Sequence, residues 1–127
     1  MKQLIVLTSL SLTLIACNNT ANLAKQTLAG KWLIRSINTQ IVITDKVPTL
    51  TFDNNLSLSG QASCNIISTR YKVDNKTISI APIATTRKMC SPELMQQESK
   101  LLKVLTKIKR FEIDNDQLTM LNQQGKT

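Results

Sequence analysis

The chain has 127 residues with 16 Lys and Arg against 8 Asp and Glu, a formal charge of +8, and it contains no histidine. Without histidine a Cys-His nucleophile, a Ser-His-Asp triad and a histidine-bearing zinc site are all excluded. Three glycines, three prolines and four aromatic residues in a sequence 42% hydrophobic describe an ordinary small globular protein, long enough for one domain.

The chain opens with "MKQLIVLTSLSLTLIAC". A single cation, Lys2, precedes an uncharged run from Leu4 to Ala16, which is shorter than the roughly 20 apolar residues a membrane span requires. This is the pattern of a secretory leader over residues 1–16. Its end, Leu14-Ile15-Ala16-Cys17, resembles the bacterial lipobox, and that resemblance makes Cys17 the lipidated first residue of the mature chain. Several acyl chains anchor a protein stably where one does not. The next residue is Asn18 and not the aspartate that holds many such proteins in the inner membrane, so the expected address is the cell envelope, on the outer membrane and facing the periplasm. Residues 17–27, with polar "NNTANLAKQT", read as a tether, ten residues of which reach at most about 35 Å. Residues 28–127 read as the folded domain.

In that domain apolar residues recur at every second position in "KWLIRSI", "TLTF", "NLSLSG" and "TISIAP", bounded by "VP", "DNN" and "DNK". Alternation of this kind predicts half-buried antiparallel strands. The segments "RYKVDNKTISI" (70–80) and "RFEIDNDQLTM" (110–120) align with one another, and each predicts a hairpin turning at Asp74-Asn75 or Asp114-Asn115, where left-handed geometry is tolerated. Helical period occurs once. Ser91, Pro92 and Glu93 form a helix start, and Leu94, Leu101, Leu102, Leu105 and Ile108 then recur on one face with Lys100, Lys103 and Lys107 opposite. The fold class is α+β, mainly β: a curled antiparallel sheet, or partial barrel, packed around one long helix, with Trp32, Leu94, Leu101, Leu102 and Leu105 in its core.

Setting Cys17 aside leaves Cys64 and Cys90. Outside the cytoplasm such a pair favours a bridge, which would restrict the unfolded chain by about 3.5 kcal/mol. The alternative is a Cys90 thiol activated by the helix start, which would lack a histidine base. Glu98 falls inside the apolar stripe of the helix, where an unpartnered carboxylate is costly. Its candidate partners are Arg87 first, then Arg70 and backbone amides near Asn65. The competing reading of Glu98 as a general acid or base lacks a second convergent carboxylate.

Three stretches taken together resemble the META domain, the HslJ-like family. "LAGKWLIRSI" is similar to its opening L-x-G-x-W-x-L, "SGQASCNIISTRYKVDNKTISIAP" to its G-x-x-G-C-N-x-x-x-G-x-Y signature, and "ATTRKMCSPELMQQE" to its T-(K/R)-M-x-C-x-x-x-x-M-x-x-E segment. Trp32, Cys64, Asn65, Thr86, Met89, Cys90 and Glu98 occupy signature positions. Ser63 and Thr69 stand where the family usually has glycine, and "NQQGKT" comes before the closing strand that usually follows, which leaves a sheet edge open. The resemblance implies a sheet curled around one helix, a periplasmic or lipoprotein setting, no assigned catalytic residues, and a role loosely tied to heat shock, envelope stress and novobiocin tolerance.

No metal or cofactor is expected, and the chain is expected to be a monomer. Without Lys2 the charge is about +7, which favours a lipid phosphate or an acidic envelope protein as neighbour beside the anchored membrane. Nucleic acid is an unsuitable partner, since the four aromatic residues form no stacking platform among the lysines. Solvation of the outer helix face is the preferred account of Lys100, Lys103, Lys107, Lys109 and Arg110. Three function classes remain: a non-enzymatic envelope lipoprotein, a pilot-like carrier with a groove between helix and sheet for a lipid tail or peptide, and a lysozyme-inhibitor-like protein. An open cleft would favour the carrier, and a sealed core the first class.

Overall fold

The computed structural model describes residues 27–126. The leader, Cys17 and all but the last residue of the tether therefore lie outside the described residues. Among the described residues there are ten strands, β1 (Gly30–Leu33), β2 (Ser36–Ile37), β3 (Gln40–Ile41), β4 (Thr49–Phe52), β5 (Ser57–Gln61), β6 (Ile66–Asp74), β7 (Thr77–Ile80), β8 (Ala84–Thr85), β9 (Ile108–Asp114) and β10 (Gln117–Asn122), with one α-helix, α1 (Pro92–Leu105), between β8 and β9. The main sheet runs β1-β4-β5-β6-β7-β9-β10, each strand antiparallel to its neighbour, and β8 pairs with β6. This is the mainly β, nearly closed antiparallel sheet with one helix that the alternation and the single helical stretch predict.

Curvature comes from the long strand β6. Its first half, Ile66–Arg70, pairs with β5, while its second half, Tyr71–Asp74, pairs with β7, so the sheet turns a corner along one chain segment. Inward positions alternate along the strand, with Ile67, Thr69 and Tyr71 buried and their neighbours exposed, as a half-buried sheet requires. Phe52 and Tyr71 meet edge to face at 5.1 Å between ring centres, a favoured aromatic geometry. The Tyr71 hydroxyl donates to the Asp53 carbonyl at 2.9 Å. Burial raises the Tyr71 pKa above the usual value, and the Asp53 charge raises it further.

Several local details differ from the sequence reading. "KWLIRSI" is not one strand: it breaks after Leu33, and Ser36–Ile37 pairs instead with Gln40–Ile41 in a separate hairpin whose turn residues Asn38 and Thr39 both have positive φ, 49° and 66°. The two similar hairpins turn one residue later than expected, at Asn75-Lys76 and Asn115-Asp116, because Asp74 and Asp114 are still paired, with Thr77 and Gln117. Asn75 (φ 51°) and Asn115 (φ 52°) supply the left-handed residue. The hairpins lie side by side, joined through β7 and β9.

Ser91 caps α1 by accepting the Leu94 N–H at 3.5 Å, and Pro92 occupies the first turn where its missing N–H costs nothing. The Glu93 carboxyl is held below the usual range by its own backbone N–H and then by the Ser91 hydroxyl. Leu101 and Leu105 are fully inside the sheet's concave face, while Leu94 and Leu102 are half-buried. Each fully buried leucine contributes roughly 1.5–3 kcal/mol. Ile108 is buried but does not extend the helical face. The helix closes at Leu105 with Thr106 as its cap, and Ile108 opens β9. Trp32 is half-buried at the margin of the core, its indole N–H donating to the Leu28 carbonyl at 2.9 Å.

Two positions test this account. A Cβ on Gly60 would lie 2.0 Å from the Thr49 carbonyl oxygen in the neighbouring strand, so Gly60→Ala should lower the unfolding free energy by about 2–3 kcal/mol in a denaturant titration. Because folding raises the Tyr71 pKa, its stabilising contribution is complete below the unfolded value near 10 and is lost as pH climbs past it. The parent should therefore lose more stability than Tyr71→Phe between pH 8 and pH 11, measured by denaturation midpoints.

Candidate functional site

The polar residues singled out in the sequence converge where the β5–β6 connection meets α1 and the segment before it. Residues 62–65 form a tight loop closed by a 2.7 Å bond from the Ala62 N–H to the Asn65 carbonyl. This loop points two consecutive backbone N–H groups at the helix. The Glu98 carboxylate, 5% exposed, accepts both on Oε2: Cys64 N–H at 3.0 Å and Asn65 N–H at 2.7 Å. Its other oxygen, Oε1, accepts the Asn65 Nδ2 amide at 2.7 Å.

Asn65 is the hub of this arrangement. Its Oδ1 accepts the Lys88 N–H at 2.6 Å and the Thr86 hydroxyl at 2.8 Å, which forbids flipping the amide, and its Nδ2 also approaches the Lys88 carbonyl at 3.4 Å. Thr86 in turn accepts the Ile66 N–H on its hydroxyl at 3.1 Å and donates its own N–H to the Ile66 carbonyl at 3.1 Å. One asparagine thus fastens the poorly regular 86–90 segment to β6 and to α1 at once. Cys64 and Cys90 are bonded, S–S 2.00 Å with Cα atoms 5.9 Å apart, and the bridge runs between the same two segments.

Arg87 is not the partner of Glu98. It is exposed and contributes none of the carboxylate's hydrogen bonds, and Arg70 donates instead to the Asn55 carbonyl at 3.0 Å. The physical reason is that two oriented backbone N–H groups and a side-chain amide satisfy a buried carboxylate without the cost of also desolvating a guanidinium. Met89, a family signature position, is 89% exposed.

Sequence reasoning missed Gln97 and Ser63. Gln97 is buried beside Glu98, donates from Nε2 to the Ser63 hydroxyl at 2.8 Å, and accepts the Ile43 N–H on Oε1 at 2.7 Å, tying α1 to the chain entering the 3-10 turn at Thr44–Lys46. Its place on the buried stripe next to Glu98 was the available signal. Ser63 has φ 104°, a conformation costly for any residue with a Cβ, which explains why glycine suits this position. Here the hydroxyl gives a compensating hydrogen bond. Thr69, the other departure, has its hydroxyl 3.0 Å from both the Ala81 and Pro82 carbonyls, so it pins the connection after β7. Among the described residues no buried side-chain nitrogen or oxygen lacks a partner, and no group of three or more Cys, Asp or Glu is placed to hold a metal.

A second feature lies on the same inner face of α1, toward its C-terminal end. A cleft of ≈730 Å³ opens between the outer strands of the sheet, lined by Trp32 and Ile34 near β1, Leu118 and Met120 on β10, and Leu101 and Leu105 on the helix. A smaller hollow of ≈230 Å³ adjoins it through Asn38 and Val104, and is lined by Lys100, Lys103, Lys107 and Lys126.

A curled antiparallel sheet with one helix, stapled through a Cys-Asn loop and a helical glutamate, defines a small mixed α and β domain of a recognisable class. The chain belongs to the META domain family, which it matches over residues 25–127. It is 26% identical over 125 residues to heat shock protein HslJ of Escherichia coli K12, covering 94% of this chain and 89% of HslJ. Two solved NMR structures share the fold. One is 25% identical with a TM-score of 0.61, over 76% of this chain and 84% of its own. The other, from Burkholderia xenovorans, is 21% identical with a TM-score of 0.62, over 76% and 75%.

Removing the Glu98 carboxylate strands two buried backbone donors and an amide, so Glu98→Ala should cost at least about 3 kcal/mol in a denaturant titration. Glu98→Gln should cost nearly as much, because its new NH₂ faces the Asn65 Nδ2 that cannot turn away. At Ser63 the strain and the hydrogen bond separate: Ser63→Ala keeps the strain and loses the bond, so it should be less stable than Ser63→Gly by about 1–3 kcal/mol.

Proposed function

We propose that this protein is a lipid-anchored envelope protein of the META/HslJ type that acts by binding and not by catalysis, in support of the cell envelope under stress. The observation that carries the reading is the contrast between its two polar and apolar features. The residues singled out for chemistry are already engaged: Cys64 and Cys90 in one bridge, and the Glu98 carboxylate in three hydrogen bonds. The ≈730 Å³ cleft beside the helix, in contrast, is within the usual size of ligand sites.

An open cleft favours the pilot-like or carrier form of the reading over a sealed scaffold. The lysine face of α1 suits an anionic neighbour, as it would on a protein held close to a phosphate-bearing surface. No helix among the described residues is long and apolar enough to cross a membrane; in this reading the lipid on Cys17 is the attachment. The name of the Escherichia coli relative, a heat shock protein, supports the stress setting.

Cys17→Ser should move the protein from the membrane pellet to the soluble fraction, and retention in the pellet would remove the anchor from the proposal. In a deletion strain under heat or novobiocin stress, the parent gene should restore growth. Leu118→Lys, which places a charge on the cleft wall and leaves the Glu98 network untouched, should melt cooperatively and fail to restore it. Full rescue by that variant would rule out the cleft as the working surface.

A further inference from the structure

We infer that the hollow beside the C-terminal half of α1 is a binding site for a multiply charged phosphate group, a phosphomonoester or a diphosphate, in preference to a singly charged phosphodiester. The inference deepens the reading of the lysine face given above, and it depends on neither the lipid anchor nor the cleft. The hollow encloses ≈230 Å³ and is lined by Lys100, Lys103, Lys107 and Lys126 with Asn38 and Asn122, and among the described residues no carboxylate faces it.

The donors converge from three parts of the chain. Lys100 and Lys103 come from α1 and Lys107 from just past its end, Asn38 from the β2–β3 turn, and Asn122 and Lys126 from the turn after β10. Neutral groups orient two of them. The Lys100 ammonium donates to Gln40 Oε1 at 2.9 Å, an amide that fixes it and leaves its charge uncompensated. Asn122 accepts the Gln124 N–H at 2.9 Å and the Lys126 N–H at 3.0 Å on Oδ1, so the end of its side chain left for other partners is the donor Nδ2. The same turn carries its chain away from the hollow: the Asn122 N–H donates to the Lys126 carbonyl at 2.8 Å, and Lys126 therefore heads back along β10 toward Gln117.

The negative pole of a helix C-terminus opposes an anion, and here it is covered. The Leu102 carbonyl accepts the Thr106 N–H at 3.3 Å and the Val104 carbonyl the Lys107 N–H at 2.9 Å, while the Lys103 carbonyl accepts the Thr106 hydroxyl at 2.8 Å. Like charges gathered on a concave surface focus their field. Four ammonium groups with no acid among them gain most from a compact group that concentrates negative charge and turns oxygens to several sides. A phosphomonoester or diphosphate does this, and a planar, singly charged carboxylate does not. Val104 adds apolar contact, and among the described residues no aromatic side chain lines the hollow, which leaves a nucleobase nothing to stack on.

The test titrates the 127-residue chain carrying Cys17→Ser with inorganic pyrophosphate and with dimethyl phosphate by calorimetry. In parallel it floats the protein with phosphatidylcholine vesicles containing either phosphatidic acid, a phosphomonoester, or phosphatidylglycerol, a phosphodiester, at matched surface charge. Pyrophosphate should bind about tenfold more tightly than dimethyl phosphate, or phosphatidic acid vesicles should retain the protein where phosphatidylglycerol vesicles do not. The first result assigns a free phosphate compound and the second a lipid headgroup. Lys103→Gln with Lys107→Gln, both exposed positions, should weaken whichever binding is seen by about tenfold. Lys31→Gln with Lys72→Gln, exposed lysines that do not line the hollow, should leave it nearly unchanged, since distant surface charges are screened. An equal loss in both pairs would show net charge at work and overturn the site, as would equal retention on the two vesicle types together with equal binding of the two soluble phosphates. Binding of no phosphate form overturns it as well, and tetraglutamate binding in their place would overturn the phosphate in favour of an acidic peptide. All of these outcomes leave the anchor and the cleft to the Cys17→Ser fractionation and the Leu118→Lys rescue.

Discussion

Burying a carboxylate on the inner face of a helix is expensive unless its lone pairs are met, and the way Glu98 meets this demand organises the molecule. It accepts two consecutive backbone N–H groups of the 62–65 loop and the side-chain amide of Asn65. The loop must hold a shape that aims both amides in one direction, which places Ser63 at φ 104°. The helix must sit at one height against the sheet, and Gln97 sets the neighbouring contact, reaching Ser63 on one side and Ile43 on the other. Apolar packing of Leu101 and Leu105 would allow the helix to slide or rotate. The directional bonds at Glu98 and Gln97 remove that freedom.

The same arrangement separates the two halves of the molecule by task. At the Glu98 end the buried polar side-chain atoms all have partners and the disulfide joins segments already fastened by Asn65, so the region behaves as a rigid clamp. Toward the C-terminal end of the same face, between β1 and β10, the cleft stays accessible. A firmly seated helix is what lets that cleft keep its form, since Leu101 and Leu105, further along the face that Glu98 immobilises, line it.

Much of this was legible in the residues. Two-residue alternation gave the strands, the Ser-Pro-Glu start gave the helix, and a glutamate in an apolar stripe announced a buried network. The ranking of its partners was not legible: backbone amides near Asn65 were among the candidates and prove to be the partners, but they carry no side-chain signature, and charge put Arg87 first. The break in "KWLIRSI" was hidden for a similar reason: alternation continues through it, while the departure of Ser36–Ile37 into its own hairpin depends on the turn at Asn38 and Thr39. The cleft was invisible because it arises from which strands are neighbours in space, β1 and β10, and these are the most distant in sequence.

The span of chain between the residues of the clamp bears on how the molecule assembles. Glu98 and Asn65 are 33 positions apart, and Gln97 and Ile43 are 54 apart, so joining them costs loop-closure entropy that no local hydrogen bond offsets. Hairpins such as β6–β7 and β9–β10 close short loops and can form early, whereas the clamp must wait until the sheet has already curled around the helix. The contact that most firmly defines the finished domain is therefore among the last its chain can reach.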